Sequence, residues 1–280
     1  MLPRFLSSAL LLTGAIAGTP VGAAEWRLRW SDEFNTAGLP DKAKWDYETG
    51  FVRNNELQLY TRDRRENARV ENGHLVIEGR KERFANPLFQ PGGDPKRKRR
   101  TATAVADYTS ASLITEGKAS FLYGRVEVRA KLPQGRGVWP AIWMLGTSHQ
   151  TIGWPRCGEI DIMEFVGKDP DHVHANVHFS KDGKHASKGA KLNTPAPYGD
   201  FHLYAVEWFP DRMDFFFDAQ KYFTFQLDDA GAGADNPFRQ PCYLLINLAL
   251  GGAWGGPMDD AVLPQQYLID YVRVYEARKS

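Results

Sequence analysis

The chain has 280 residues, 42% of them hydrophobic and 25% charged, and its formal net charge is +1. That balance excludes a general electrostatic case for nucleic acid or an anionic membrane surface. The length suits a single all-β domain. Only Cys157 and Cys242 are available for a disulfide; whether they meet stays open, with free, buried thiols the favoured reading.

Residues 1–24 read as an export signal. Arg4 supplies the short positive region, Leu6 to Ala17 the apolar stretch, and Val21-Gly22-Ala23-Ala24 the small residues that signal peptidase needs, with cleavage after Ala23 or Ala24. The protein is therefore expected to be secreted, to the periplasm or the extracellular space, with no membrane anchor. The working domain is expected to span residues 25–280.

Strand signals dominate from there on. Short alternating or apolar runs recur between turns: His74–Gly79, Gly124–Lys131, Val138–Leu145, Glu159–Val166, His174–Phe179, Leu203–Phe209, Met213–Phe217, Tyr243–Leu248 and Tyr267–Tyr275. Turn residues such as Glu71-Asn72-Gly73, Pro133-Gln134-Gly135 and Pro210-Asp211 separate them. This rhythm predicts an all-β antiparallel sandwich of two packed sheets. Two segments read as long loops. Phe84 to Asp107 carries the basic run Lys96-Arg97-Lys98-Arg99-Arg100, expected to be solvated, with contact to an anionic glycan as the alternative. Lys181 to Asp200, rich in Lys, Gly and Pro, is expected to cover or border a cleft.

The segment Glu159-Ile160-Asp161-Ile162-Met163-Glu164 carries most of the chemistry. On a strand Glu159 and Asp161 share a face, whereas Glu164, five residues on, belongs to the other face. A β-bulge near Met163 would bring Glu164 back beside the other two. Four strand steps then separate the glutamate Cα atoms by ~13 Å. Inward-leaning side chains narrow that to the ~5–5.5 Å carboxyl gap of a retaining glycosidase. The plainer reading is an ordinary half-buried strand. Against it stand the third carboxylate and the neighbouring aromatic segments, Trp139-Pro140-Ala141-Ile142-Trp143 and Trp154-Pro155. Eight Trp, eleven Tyr and sixteen Phe give the chain rings to spare for stacking on sugars.

The ordered set of motifs resembles glycoside hydrolase family 16, the laminarinase and lichenase group. It runs from Trp30-Ser31-Asp32-Glu33-Phe34 through Asn54-Asn55-Glu56-Leu57-Gln58-Leu59-Tyr60-Thr61, Tyr108-Thr109-Ser110-Ala111, Tyr123-Gly124-Arg125 and the carboxylate strand. It closes on Asn247-Leu248-Ala249-Leu250-Gly251-Gly252 and Asp270-Tyr271-Val272-Arg273-Val274-Tyr275. The resemblance implies a β-jelly-roll sandwich with a concave substrate cleft and a polysaccharide as partner. It makes Glu159 the nucleophile, Glu164 the acid/base, and Asp161 the residue that sets the nucleophile's protonation state. Asn54, Glu56, Trp139, Trp143, His178 and Trp254 are candidates for binding sugar, and Asn247 for either the cleft or a strand brace. No cofactor is required for catalysis. A structural calcium ion is implied at Glu33, the Gly73 carbonyl and Asp270, and a monomer is expected.

Two departures bear on specificity. The group commonly has Arg directly after Tyr-Thr-Ser-Ala, where this chain has Ser112. It often has Trp-Gly ahead of Asn-Asn-Glu, where this chain has Phe51-Val52-Arg53. The expectation is an exported endo-acting enzyme cutting β-1,3 or mixed β-1,3/1,4 glucans. The alternatives are the same machinery on another β-glycan, such as a galactan or a host polysaccharide, and a sugar-binding module without turnover.

Overall fold

The apolar runs fold as antiparallel strands in two sheets. The structure, a computed structural model, describes residues 25–93 and 95–278, with backbone alone for 95–98. The export signal expected at 1–24 lies outside the described residues. A ten-stranded sheet is built on Gly124–Lys131, Gln265–Ala277 and His202–Trp208. A seven-stranded sheet runs in the order Lys184–Asn193, His172–Lys181, Glu159–Glu164, Val138–Gly146, Cys242–Leu250, Ser112–Ile114 and Asp46–Tyr47. The jelly-roll sandwich expected from the sequence is thus present.

Period-two alternation sends Val126, Val128 and Ala130 of one sheet against Ile160, Val177 and Ile246 of the other. Trp208, Tyr204, Phe215 and Phe179 fill the space between them. Full burial of such side chains contributes about 1.5–3 kcal/mol each. Val138–Gly146 and Cys242–Leu250 are buried at all nine positions, on both faces. Their second face, with Trp143, Leu145, Tyr243 and Leu245, forms a separate apolar cluster outside the sandwich core. That cluster is the floor of a cleft.

Both long-loop readings need correction. His74–Ala85 runs past Phe84 as strand, and Pro95–Ala102 forms a helix before strand Val105–Ser110. Pro95 suits a first helical position, where its missing N–H costs nothing. Lys184–Asn193 is an edge strand paired along its whole length with His172–Lys181. The hairpin turns at Asp182-Gly183, both with positive φ, the geometry an Asp-Gly turn supplies. This strand was invisible to periodicity because most of its side chains on both faces are exposed.

Cys157 and Cys242 are free and buried. Among the described residues no helix is long and apolar enough to cross a membrane. The implied calcium donors do not fit a cation as they stand. Arg273 grips Glu33 with two hydrogen bonds, 3.0 and 2.8 Å, which hold that carboxyl below its ordinary range. Arg129 donates to Asp270 at 2.6 Å. Gly73 sits at the turn with φ 77°.

Candidate active site

Pairing across the carboxylate strand contains the extra residue the spacing required. Asp161 opposes Trp143 and Met163 opposes Ile142, so Ile162 has no partner on that side; the other edge shifts between Asp161 and Glu164. Ile162 and Met163, adjacent in sequence, both point into the sandwich core, which is what a bulge does. Glu159, Asp161 and Glu164 therefore emerge together on the outer face and line a cavity of about 540 Å3.

Trp139 and Trp143, on the neighbouring strand, line the same cavity. Trp139 Nε1 donates to Glu164 Oε1 at 3.0 Å. Trp143 Nε1 donates to Asn247 Oδ1 at 2.7 Å; Asn247 in turn donates to the Tyr60 hydroxyl at 2.9 Å, and that hydroxyl donates to Glu56 Oε2 at 3.2 Å. Asn247 is thus both a cleft residue and a brace. Glu56 is buried and accepts from Gln58 at 2.8 Å and from Asn54 at 3.3 Å. Gly251 and Gly252 have positive φ, and side chains there would collide with Leu57 and Glu56; only glycine lets this wall close.

His178 and Trp254 stand just behind the lining. His178 Nε2 lies 3.2 Å from Asp161 Oδ2 and 3.9 Å from Glu159 Oε1, with Asn176 Nδ2 at 3.1 Å from the same nitrogen. His178 Nδ1 faces His185 Nε2 at 2.8 Å. When the Nε2 lone pair accepts from Asn176, Asp161 Oδ2 is left without a hydrogen bond; a protonated Nε2 donates to it instead. Trp254 packs edge-on against Trp139, ring centroids 5.5 Å apart, and against His174 at 4.9 Å.

Residues 55–273 match the family model for glycosyl hydrolases family 16. The chain belongs to that family. It is 47% identical over 267 residues to a β-glucanase of Rhodothermus marinus, covering 90% of this chain and 86% of that one. It is 36% identical over 277 residues to a keratan-sulfate endo-1,4-β-galactosidase of Sphingobacterium multivorum, covering 97% of this chain and 60% of the relative. A solved endo-acting O-glycanase of the human gut microbiota, from a study of mucin breakdown, superposes with a TM-score of 0.84 at 39% identity. That match covers 90% of this chain and 91% of the other.

Electrostatics in this family 16 hydrolase separate the two glutamates. Burial, reinforced by Asp161, pushes Glu159 up to about 8, while His178 and Arg53 pull it down. Glu164 is raised well above the ordinary range by burial, by Asp161 and by Glu159, with the Trp139 N–H acting against them. Burial also raises Asp161. Arg53 thus favours the ionised form of Glu159, while two acid neighbours favour the protonated form of Glu164. One carboxylate and one carboxylic acid facing a single cavity is the requirement for double displacement at a sugar carbon.

Some cleft residues had no reading as such in the sequence. Arg100 and Glu48 line the cavity. Of the basic run's described side chains, Arg99 is not free in solvent: it stacks over Phe51 at 4.4 Å and donates to the Glu56 carbonyl at 2.5 Å. Trp154 also reaches the cavity, with its ring 4.7 Å from His185 and 46% of its surface exposed. The aromatic five residues ahead of Glu159 was the available signal for Trp154. For Arg99 and Arg100 the charge run offered only the alternative of contact with an anionic glycan.

Proposed function

We propose that this family 16 hydrolase is an exported, monomeric, retaining endo-glycosidase that cuts β-1,3 or mixed β-1,3/1,4 glucans. Three bulge-aligned carboxylates on one cleft face carry the reading, and the 47%-identical β-glucanase supports the substrate. Glu159 attacks the anomeric carbon as Glu164 gives its proton to the leaving oxygen. Glu164, now ionised, then takes a proton from the water that releases the sugar from Glu159. Asp161 and His178 set the charge on Glu159. No cofactor takes part. A calcium ion at Glu33, Gly73 and Asp270 would be structural and would have to displace Arg273 and Arg129; a Tm lowered by EDTA would support it.

A second reading keeps the machinery and changes the glycan. The galactosidase relative, the superposition on an O-glycanase, and Arg53 in the cleft with Ser112 buried behind its Glu48 partner favour it. Reducing-end release from laminarin, lichenan and a β-galactan, with Glu159→Gln as control, tests both. Release from either glucan that vanishes in the variant supports the first reading, and release from the galactan alone supports the second. No release from any of them, with sugar still bound, would return the protein to the binding-module reading.

A further inference from the structure

The ring of Trp143 is not open to a sugar. The Arg53 guanidinium lies over it, 4.8 Å from the ring centroid. Arg53 also pairs with Glu48. Glu48 is held by the Ser112 hydroxyl, which donates to its other oxygen at 2.7 Å, and by its own N–H on the Ser112 carbonyl at 3.1 Å. Ser112 and Arg53 thus act through one carboxylate, and the small Ser112 side chain leaves Glu48 free for Arg53. The backbone fixes the approach as well, because Asn54 and Asn55 both turn through positive φ directly after Arg53.

The guanidinium is only partly used. Its Nη2 engages Glu48, while Nε and Nη1 meet no acceptor among the described residues. A quarter of the side chain stays exposed to the cavity it lines. A pyranose with all substituents equatorial offers flat C–H faces, which suit a bare aromatic ring. A guanidinium laid over that ring needs oxygen acceptors out of the sugar plane instead.

We propose that Arg53 is a specificity-determining residue that turns the Trp143 platform from sugar stacking to hydrogen bonding. It thereby favours a neutral sugar with an axial hydroxyl or an acetamido carbonyl over an all-equatorial glucose. Neutrality follows from the ion pair: Glu48 already balances the guanidinium, so Arg53 has no unpaired charge to offer a sulfate. The inference rests on the glycosidase reading and, within it, sides with the second glycan at this position.

The test is calorimetric binding on the inactive Glu159→Gln background, with Arg53 intact, Arg53→Ala or Arg53→Lys. The probes are laminari-oligosaccharides, β-galacto-oligosaccharides and N-acetyllactosamine oligomers, neutral and sulfated. Thermal melting confirms that each variant is folded. Arg53→Ala is expected to weaken the galacto- or lactosamine oligomers about 10- to 100-fold, the size of lost hydrogen bonds to a charged group. Laminari-oligosaccharides should hold or tighten, and Arg53→Lys should recover only part of the loss because it lacks the planar fork. Equal loss on every glycan, no change on any, binding of none, or the sharpest loss on the sulfated oligomer would each overturn the proposal. Turnover is read separately in the active enzyme, so a failed assay of catalysis does not decide this one.

Discussion

Trp139 Nε1 donates to Glu164 Oε1 at 3.0 Å, so a residue of the cleft wall also acts on the charge of the proposed proton donor. That hydrogen bond favours the ionised carboxylate and works against the burial that raises Glu164. Replacing Trp139 with Phe keeps a ring and removes the N–H. The Glu164 pKa then moves up, and the alkaline limb of the kcat/KM profile should move to higher pH with it. An unmoved limb in a careful pH series would mean that another group sets it.

Activity against pH should be bell-shaped. The proposed mechanism needs Glu159 ionised and Glu164 protonated, so turnover should rise as pH passes the raised Glu159 value of about 8 and fall once Glu164 ionises. In the substrate-free enzyme the acid limb should therefore lie well above the ordinary carboxylate range. A limb near pH 4.5 would show that the three carboxylates share charge differently.

The two glutamates should separate by leaving group. Loss of general acid help in Glu164→Ala is expected to cost about 10²–10⁴-fold on polysaccharide. Far less should be lost on an aryl glycoside whose leaving group departs unprotonated, and added azide should restore turnover. Glu159→Gln should be inactive on both substrates. Equal losses for both variants on the aryl glycoside would contradict the assigned roles.

Removing Glu159's charge should stabilise the fold. Its folded pKa, about 8, exceeds the ordinary value of 4.5. The carboxyl's contribution is therefore fully present below pH 4.5 and is lost as pH rises towards 8. Glu159→Gln has no such loss. Its Tm should match the wild type near pH 4 and exceed it at pH 8, by on the order of 4 kcal/mol in stability, or about ten degrees. Identical melting curves at pH 8 would argue against a strained carboxylate.

Asn247 links the cleft floor to Tyr60 and Glu56. Asn247→Ala leaves the Trp143 indole N–H and the Tyr60 hydroxyl short of a partner, which should cost about 1–3 kcal/mol. KM should rise because Trp143, and Arg53 laid over it, lose their fixed orientation. A variant as stable as the wild type would mean that water replaces the amide.

Much of this was written locally. The bulge follows from three carboxylates that must share a face although their spacing is odd. The strands follow from alternation, and Gly124–Lys131 runs as strand over the residues its pattern marks. The edge strand Lys184–Asn193 escaped because most of its side chains are exposed and only Ala186 and Leu192 pack on the core. The helix at Pro95–Ala102 escaped because a short basic run has no apolar face.

The sequence by itself determined which side chains of the carboxylate strand face the cleft, because a strand's two-residue period and one inserted residue fix direction without reference to any neighbour. Only the tertiary structure decided what those side chains meet. Arg53 lies on Trp143, Asn247 bonds the same indole, and Arg99 covers Phe51, each pair joined across many residues of chain. Contacts of that kind depend on strand order and sheet register, which the packing of two whole sheets selects. The machinery for cutting a sugar is therefore local, and the choice of sugar is a property of the assembled cleft.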